Sequence, residues 1–152
     1  EIPCIEHGLG VDFAALEAEL ADLAAGAQPF ESVVLTSPEA ARIFLRAWAS
    51  ARHYLGNAGV TLLVPIACVG EGTSAVVREA GIEVSFEPSM ANAETLAAEL
   101  PLRFGKRVLY PASELAQLSL QEGLARRGFA VRRLNTYTTR AVQDFDEGLL
   151  RA

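Results

Sequence analysis

The chain of 152 residues has one lysine, Lys106, one tryptophan, two histidines and two cysteines, and only 7% of it is aromatic. Each shortage excludes something. Cys4 and Cys68 are too few and too far apart for a disulfide framework or a metal-ligand spacing. Cys68 lies inside an apolar run and reads as a small buried thiol in a reducing compartment. His7 and His53 stand alone, with no Ser/His/Asp order and no nucleophile elbow around them. No basic run or stripe is present, and thirteen basic residues against nineteen acidic ones leave a net charge of −6, so nucleic acid is not an expected partner. No stretch nears the roughly 18 uninterrupted apolar residues of a membrane span, so no membrane is expected either. The chain begins at Glu1 without a signal or transit peptide pattern, which a removed targeting segment or a longer parent chain would account for.

What is abundant is small and aliphatic: 51% of the residues are hydrophobic. A chain of this length fits one domain and can bury roughly 68–70% of its unfolded surface. Short β-rich runs at 32–36, 66–69, 82–86, 107–110 and 130–134 alternate with segments of helical period at about 12–25, 38–54, 73–80, 92–100 and 114–127. Ile43, Phe44, Ala47, Trp48 and Ala51 share one helix face, and Ala116, Leu120 and Leu124 another. Asp12 is placed to cap the first helix, and Ser37-Pro38 is an N-cap followed by proline at the first helical position. Gly81 and Gly128 each end a helix before a strand, where a left-handed residue is needed. Strands alternating with helices predict an α/β fold, a flavodoxin-like or Rossmann-like parallel sheet with helices on both faces.

In such a sheet the helix N-termini gather at one edge and expose unpaired N–H groups, which bind anions without lysines. Four junctions supply them: Thr36-Ser37-Pro38-Glu39-Ala40, Gly70-Glu71-Gly72-Thr73-Ser74, Pro88-Ser89-Met90-Ala91-Asn92 and Pro111-Ala112-Ser113-Glu114. Their hydroxyls are preferred helix caps, so each junction alone reads as capping, while four together read as a rim for a polyanion. Gly70-Glu71-Gly72-Thr73-Ser74-Ala75 also matches G-x-G-x-x-A, with Glu87 where a dinucleotide fold holds ribose, so a nucleotide-binding module is an alternative. Tyr137, after the last strand, is either a half-exposed strand residue or a phenol aimed into a cleft.

These pieces, in this order, resemble the uroporphyrinogen-III synthase family over nearly the full length. The matching stretches are Val34-Leu35-Thr36-Ser37-Pro38-Glu39-Ala40, Cys68-Val69-Gly70-Glu71-Gly72-Thr73, Phe86-Glu87-Pro88-Ser89, Val108-Leu109-Tyr110-Pro111-Ala112-Ser113 and Arg133-Leu134-Asn135-Thr136-Tyr137-Thr138-Thr139. The last two are most similar to plant and algal members, which implies the plastid stroma, or the cytoplasm for a bacterial source. The resemblance implies one lobe of a two-lobe synthase: residues 1–29 a connector strand (2–7) and leading helix, 30–136 the α/β lobe, 137–152 the returning connector (137–142) and the start of a second lobe. It implies cyclisation of hydroxymethylbilane, a linear tetrapyrrole with eight carboxylates, with loss of water and inversion of the last ring, by a monomer without cofactor or metal. Tyr137 matches the tyrosine that assists departure of the hydroxyl. Ser37, Pro38, Gly70, Thr73, Ser74, Ser113 and Thr139 are the expected substrate contacts. A non-catalytic interaction domain derived from the synthase is a further alternative.

Overall fold

Side chains alternate across a strand, so each strand of a covered sheet must feed two cores. In the computed structural model, which describes residues 8–54, 62–113 and 118–138, the four parallel strands of the sheet do this. Strands β1 (Gly8–Leu9), β2 (Ser32–Leu35), β3 (Ile66–Cys68), β4 (Arg107–Ser113) and β5 (Ala130–Thr138) stand in the order β1-β5-β4-β2-β3. Val33, Leu35, Ile66, Cys68, Leu109 and Leu134 enter one core with residues of helices α1 (Phe13–Ala24), α2 (Pro38–Tyr54) and α3 (Glu71–Glu79). Val34, Ala67, Val108, Tyr110 and Ala112 enter the other, with α4 (Ala93–Glu99), α5 (Ser119–Arg126) and the 3-10 turn Leu102–Phe104. Leu16 and Leu20 of α1 are fully buried in the first core, so the leading helix packs with the rest of the α/β layers.

The pairings β3–β2, β2–β4 and β4–β5 are parallel, and β1 joins β5 antiparallel, Gly8 opposite Thr138 and Leu9 opposite Tyr137. The expected strand at 82–86 is reduced to one parallel bridge, Ala67 to Phe86, held by Ser85 N–H to the Ile66 carbonyl at 2.8 Å and Cys68 N–H to the Phe86 carbonyl at 3.0 Å. It lies at the sheet margin, where a long regular strand would offer unpaired groups to other chains. Counted with it, the parallel strands run third-second-first-fourth-fifth, the Rossmann-like order rather than the flavodoxin-like one.

Helix α2 starts at Pro38 as expected, and the Ser37 hydroxyl accepts the Ala40 N–H at 3.0 Å. Gly81 and Gly128 have φ of 81° and 97°, the left-handed values their positions demanded. Two expectations change. Asp12 stands at the N-cap of α1 but makes no side-chain cap bond; its carboxylate accepts the Asn135 N–H at 2.9 Å instead. Helix α5 begins at Ser119 after a bend at Leu118, and β4 continues to Ser113, three residues beyond its expected end. Residues 114–117 between them lie outside the described residues, as do Ile2 to His7, Cys4 and the segment after Thr138. No described helix is long and apolar enough to cross a membrane.

Candidate functional site at the switch point of the sheet

From β2 the chain proceeds through α2 to β3 on one side, while β4 lies on the other. The crevice outside the carboxyl ends of β2 and β4 is therefore the topological switch point, where open α/β sheets hold ligands. Register is regular between β4 and β5 from Arg107–Ala130 to Ala112–Asn135, and then Ser113 faces Tyr137. Thr136 is thus the extra residue of a β-bulge, a device that re-aims the next side chain. The re-aimed side chain is Tyr137. Its phenol oxygen lies 2.8 Å from the Ser37 hydroxyl, across the switch point. Tyr137 is 5% exposed, and burial pushes its phenol above the usual tyrosine range, with the Ser37 hydrogen bond acting in the opposite direction. Glu39, in the first turn of α2, and Tyr110 add smaller upward pushes.

The strand pair is locked in place from both sides. The chain around Gly10 runs so close to β5 that a Cβ there would collide with the Asn135 carbonyl, and the Gly10 N–H donates to the Thr136 carbonyl at 2.8 Å. On the far side, the Arg133 guanidinium donates to Asn135 Oδ1 at 3.1 Å, to Gln121 Oε1 of α5 at 3.0 Å and to the Ser113 carbonyl at 3.1 Å. It also lies 5.8 Å over the Tyr110 ring. Arg133 was not among the expected contacts. The available signal was a charged residue within an apolar strand run, on the face of Val131 rather than of Leu134.

Ser37, Pro38 and Gly72 come together: a Cβ at Gly72 would touch the Pro38 ring at 3.9 Å, so the starts of α2 and α3 are neighbours. They do not offer equal numbers of donors. In α2, Pro38 has no N–H, and the amides of Ala40 and Ala41 go to the Ser37 hydroxyl and carbonyl. In α3 the first amide bonded back is that of Ser74, to the Gly70 carbonyl at 3.0 Å. The amides of Glu71, Gly72 and Thr73 precede it and have no backbone acceptor among the described residues. Gly70 lets the next loop pass, since a Cβ there would stand 2.9 Å from that of Ala91. Thr73 is buried at that start with 2% exposure.

Ser74 points away from the crevice. Its hydroxyl donates to the Glu87 carboxylate, and Glu87 pairs with Arg78 at 3.7 Å. Beside it, burial pushes the Cys68 thiol up to about 11, offset in part by a hydrogen bond with Ser74. The acid a dinucleotide would need for its ribose is therefore engaged, and the glycine loop follows the second strand of the sheet order instead of the first, which weighs against the nucleotide reading. Ser113 contributes its carbonyl to Arg133. At the third junction Asn92 caps α4 through the Thr95 N–H at 2.7 Å, and Ser89 gives both its N–H and its hydroxyl to Glu99, at 2.7 and 2.6 Å, which holds that carboxyl below its usual range. Both serve the loop itself. Thr139 lies outside the described residues. No cluster of three or more His, Cys, Asp or Glu suited to a metal exists among the described residues.

The family model described as uroporphyrinogen-III synthase HemD matches residues 1–152. A curated rice protein, "Uroporphyrinogen-III synthase, chloroplastic" from Oryza sativa subsp. japonica, is 43% identical over 159 residues, covering 99% of this chain and 48% of the relative. Among solved structures, the wild-type uroporphyrinogen III synthase of the extremely thermophilic bacterium Thermus thermophilus superposes with a TM-score of 0.63 at 20% identity, over 96% of this chain and 55% of that one. A second Thermus thermophilus structure gives 0.62 at 19% identity, over 96% of this chain and 56% of that one. At these identities the superpositions speak for the fold. The chain spans about half the length of the relatives it matches.

Proposed function

The chain belongs to the uroporphyrinogen-III synthase HemD family, and from that premise we propose that the protein carrying it cyclises hydroxymethylbilane to uroporphyrinogen III in tetrapyrrole biosynthesis. The observation that carries the reading is the bulge-aimed phenol of Tyr137 at the switch-point crevice, beside the starts of α2 and α3. In this reading Tyr137 donates its proton to the terminal hydroxyl, which leaves as water while the adjacent pyrrole nitrogen supplies the electron pair. The substituted carbon of the last ring then attacks, and the spiro intermediate breaks and recloses with that ring inverted. No strong base is required, because geometry selects the product. The α3 start, Gly70 to Thr73, holds carboxylate arms through backbone amides, which suits a polyanionic substrate in an acidic chain. The Pro38 ring and Ser113 form the neighbouring walls.

In the same reading the chain is one lobe, residues 30–136, reached through connector strands, and a second lobe completes the cleft. The name of the rice relative supports a plastid location. The test is an isomer-resolved assay of the full-length protein with hydroxymethylbilane. It is expected to yield the type III product, whereas the type I isomer alone, the uncatalysed outcome, would overturn the reading.

A further inference from the structure

A hydroxyl within hydrogen-bond reach of a reacting phenol can serve it only if its own proton is available. Ser37 meets this condition. One lone pair of its oxygen is taken by the Ala40 N–H at 3.0 Å, at the positive end of a 17-residue helix. That bond polarises the hydroxyl, and of its remaining lone pair and its proton only the proton can serve a phenolate at Tyr137, 2.8 Å away. We propose that Ser37 is a positioning residue for the reaction, which orients the Tyr137 proton toward the departing hydroxyl and donates its own hydrogen bond to the phenolate that forms. The inference rests on the cyclisation reading above.

The steps balance. The Tyr137 proton moves to the leaving oxygen, the carbon–oxygen bond breaks, and water departs as the pyrrole nitrogen's lone pair forms the azafulvenium. The phenolate regains a proton from the free α-carbon of the last ring, which loses it when that carbon closes the macrocycle. Burial opposes a phenolate at Tyr137, and Glu39 and Tyr110 oppose it further, while the Ser37 bond favours it. The phenol oxygen cannot use its own proton on Ser37 and on the substrate at once, so during transfer Ser37 must be the donor. The bulge at Thr136 is what brings two residues 100 positions apart into this contact.

Three variants of the full-length protein separate this role from plain helix capping. Ser37→Asp keeps an N-cap acceptor but has no proton to give, and Ser37→Thr keeps both functions. Ser37→Ala is expected to lower kcat by about 10- to 100-fold with KM nearly unchanged, at or below the lower end of the range for a group that transfers the proton itself. Ser37→Thr should restore most of that rate, and Ser37→Asp should lose at least as much as Ser37→Ala while melting at the wild-type temperature. Full activity in Ser37→Asp would overturn the proposal, since capping alone would then suffice. In a Tyr137→Phe background Ser37→Ala should cost nothing further, and an additive loss would overturn it as well. A readout independent of turnover is the ring-carbon NMR signal of 13C-labelled tyrosine, assigned with Tyr137→Phe. Ser37→Ala should move the Tyr137 titration upward. An unchanged titration would sink the contact itself, whereas absence of the type III isomer from the wild-type protein would instead sink the function.

Discussion

The Asp12 carboxylate accepts the backbone N–H of Asn135 at 2.9 Å, and the Asp12 N–H donates to the Asn135 carbonyl at 3.1 Å, so one residue at the foot of α1 brackets the peptide just before the bulge that aims Tyr137. Asp12 carries on, just beyond Gly10, the bonding that β1 makes with this edge of β5. Its use there explains why it does not cap the helix it precedes. Asp12→Ala should therefore lose about 1–3 kcal/mol in urea unfolding, the range for leaving a buried amide without its acceptor. Hydrogen exchange at the Asn135 amide should quicken while the α1 amides keep their relative protection. Selective loss of protection along α1 would mean that Asp12 acts as a cap after all.

Gly70 is a matter of space, since its backbone is extended and open to any residue. The Cβ of an alanine would press on that of Ala91 and displace the loop toward α4. Gly70→Ala should destabilise by about 1–3 kcal/mol, as overpacking does, and Ala91→Gly should recover much of the loss in the double variant. A double-mutant cycle with no coupling would remove the contact from the account.

Tyr137→Phe leaves the ring in its packed position and deletes only the phenol oxygen. The fold should persist with an unchanged near-ultraviolet spectrum apart from the missing chromophore. In the full-length protein kcat should fall by about 10²-fold or somewhat more, the contribution of one positioned proton donor, without reaching zero. A rate equal to the wild type would place the proton donor elsewhere.

Cys68 sets an alkaline limit. Its thiol ionises near 9.0 when unfolded and at about 11 in place. Below the lower value both states hold the proton and the full stability is present. Between pH 9 and 11 the unfolded chain releases it first, so stability falls as pH rises, by up to about 2–3 kcal/mol. Cys68→Ala should flatten that part of the stability curve. The native thiol should also resist alkylation at mildly alkaline pH until the protein is unfolded; rapid labelling of native protein would contradict its burial.

Much of the architecture was legible before any coordinates, because it depends on short-range chemistry. Short β-rich apolar runs and the period of 3.6 between them determined the α/β layers. Ser37-Pro38 determined where α2 begins, and Gly81 and Gly128 determined where α3 and α5 end, since caps and left-handed residues act within a few bonds. Even Tyr137 could be singled out, though only through a resemblance. The strand expected at 82–86 shows where local preference stops: the run is apolar and β-prone, yet its extent depends on a neighbour across the sheet, and one bridge is all it makes.

The tertiary structure alone decided the rest. The bulge in β5, the reach of Asp12 to Asn135, the inward turn of Ser74 to Glu87, the brace from Arg133 to Ser113 and Gln121, and the contact of Ser37 with Tyr137 all join segments separated by 12 to 123 positions. Hydrogen bonds of this kind are set by register and by the approach of packed layers. A side chain's own sequence neighbourhood carries its donors and acceptors, but only the closed sheet determines which of them meet.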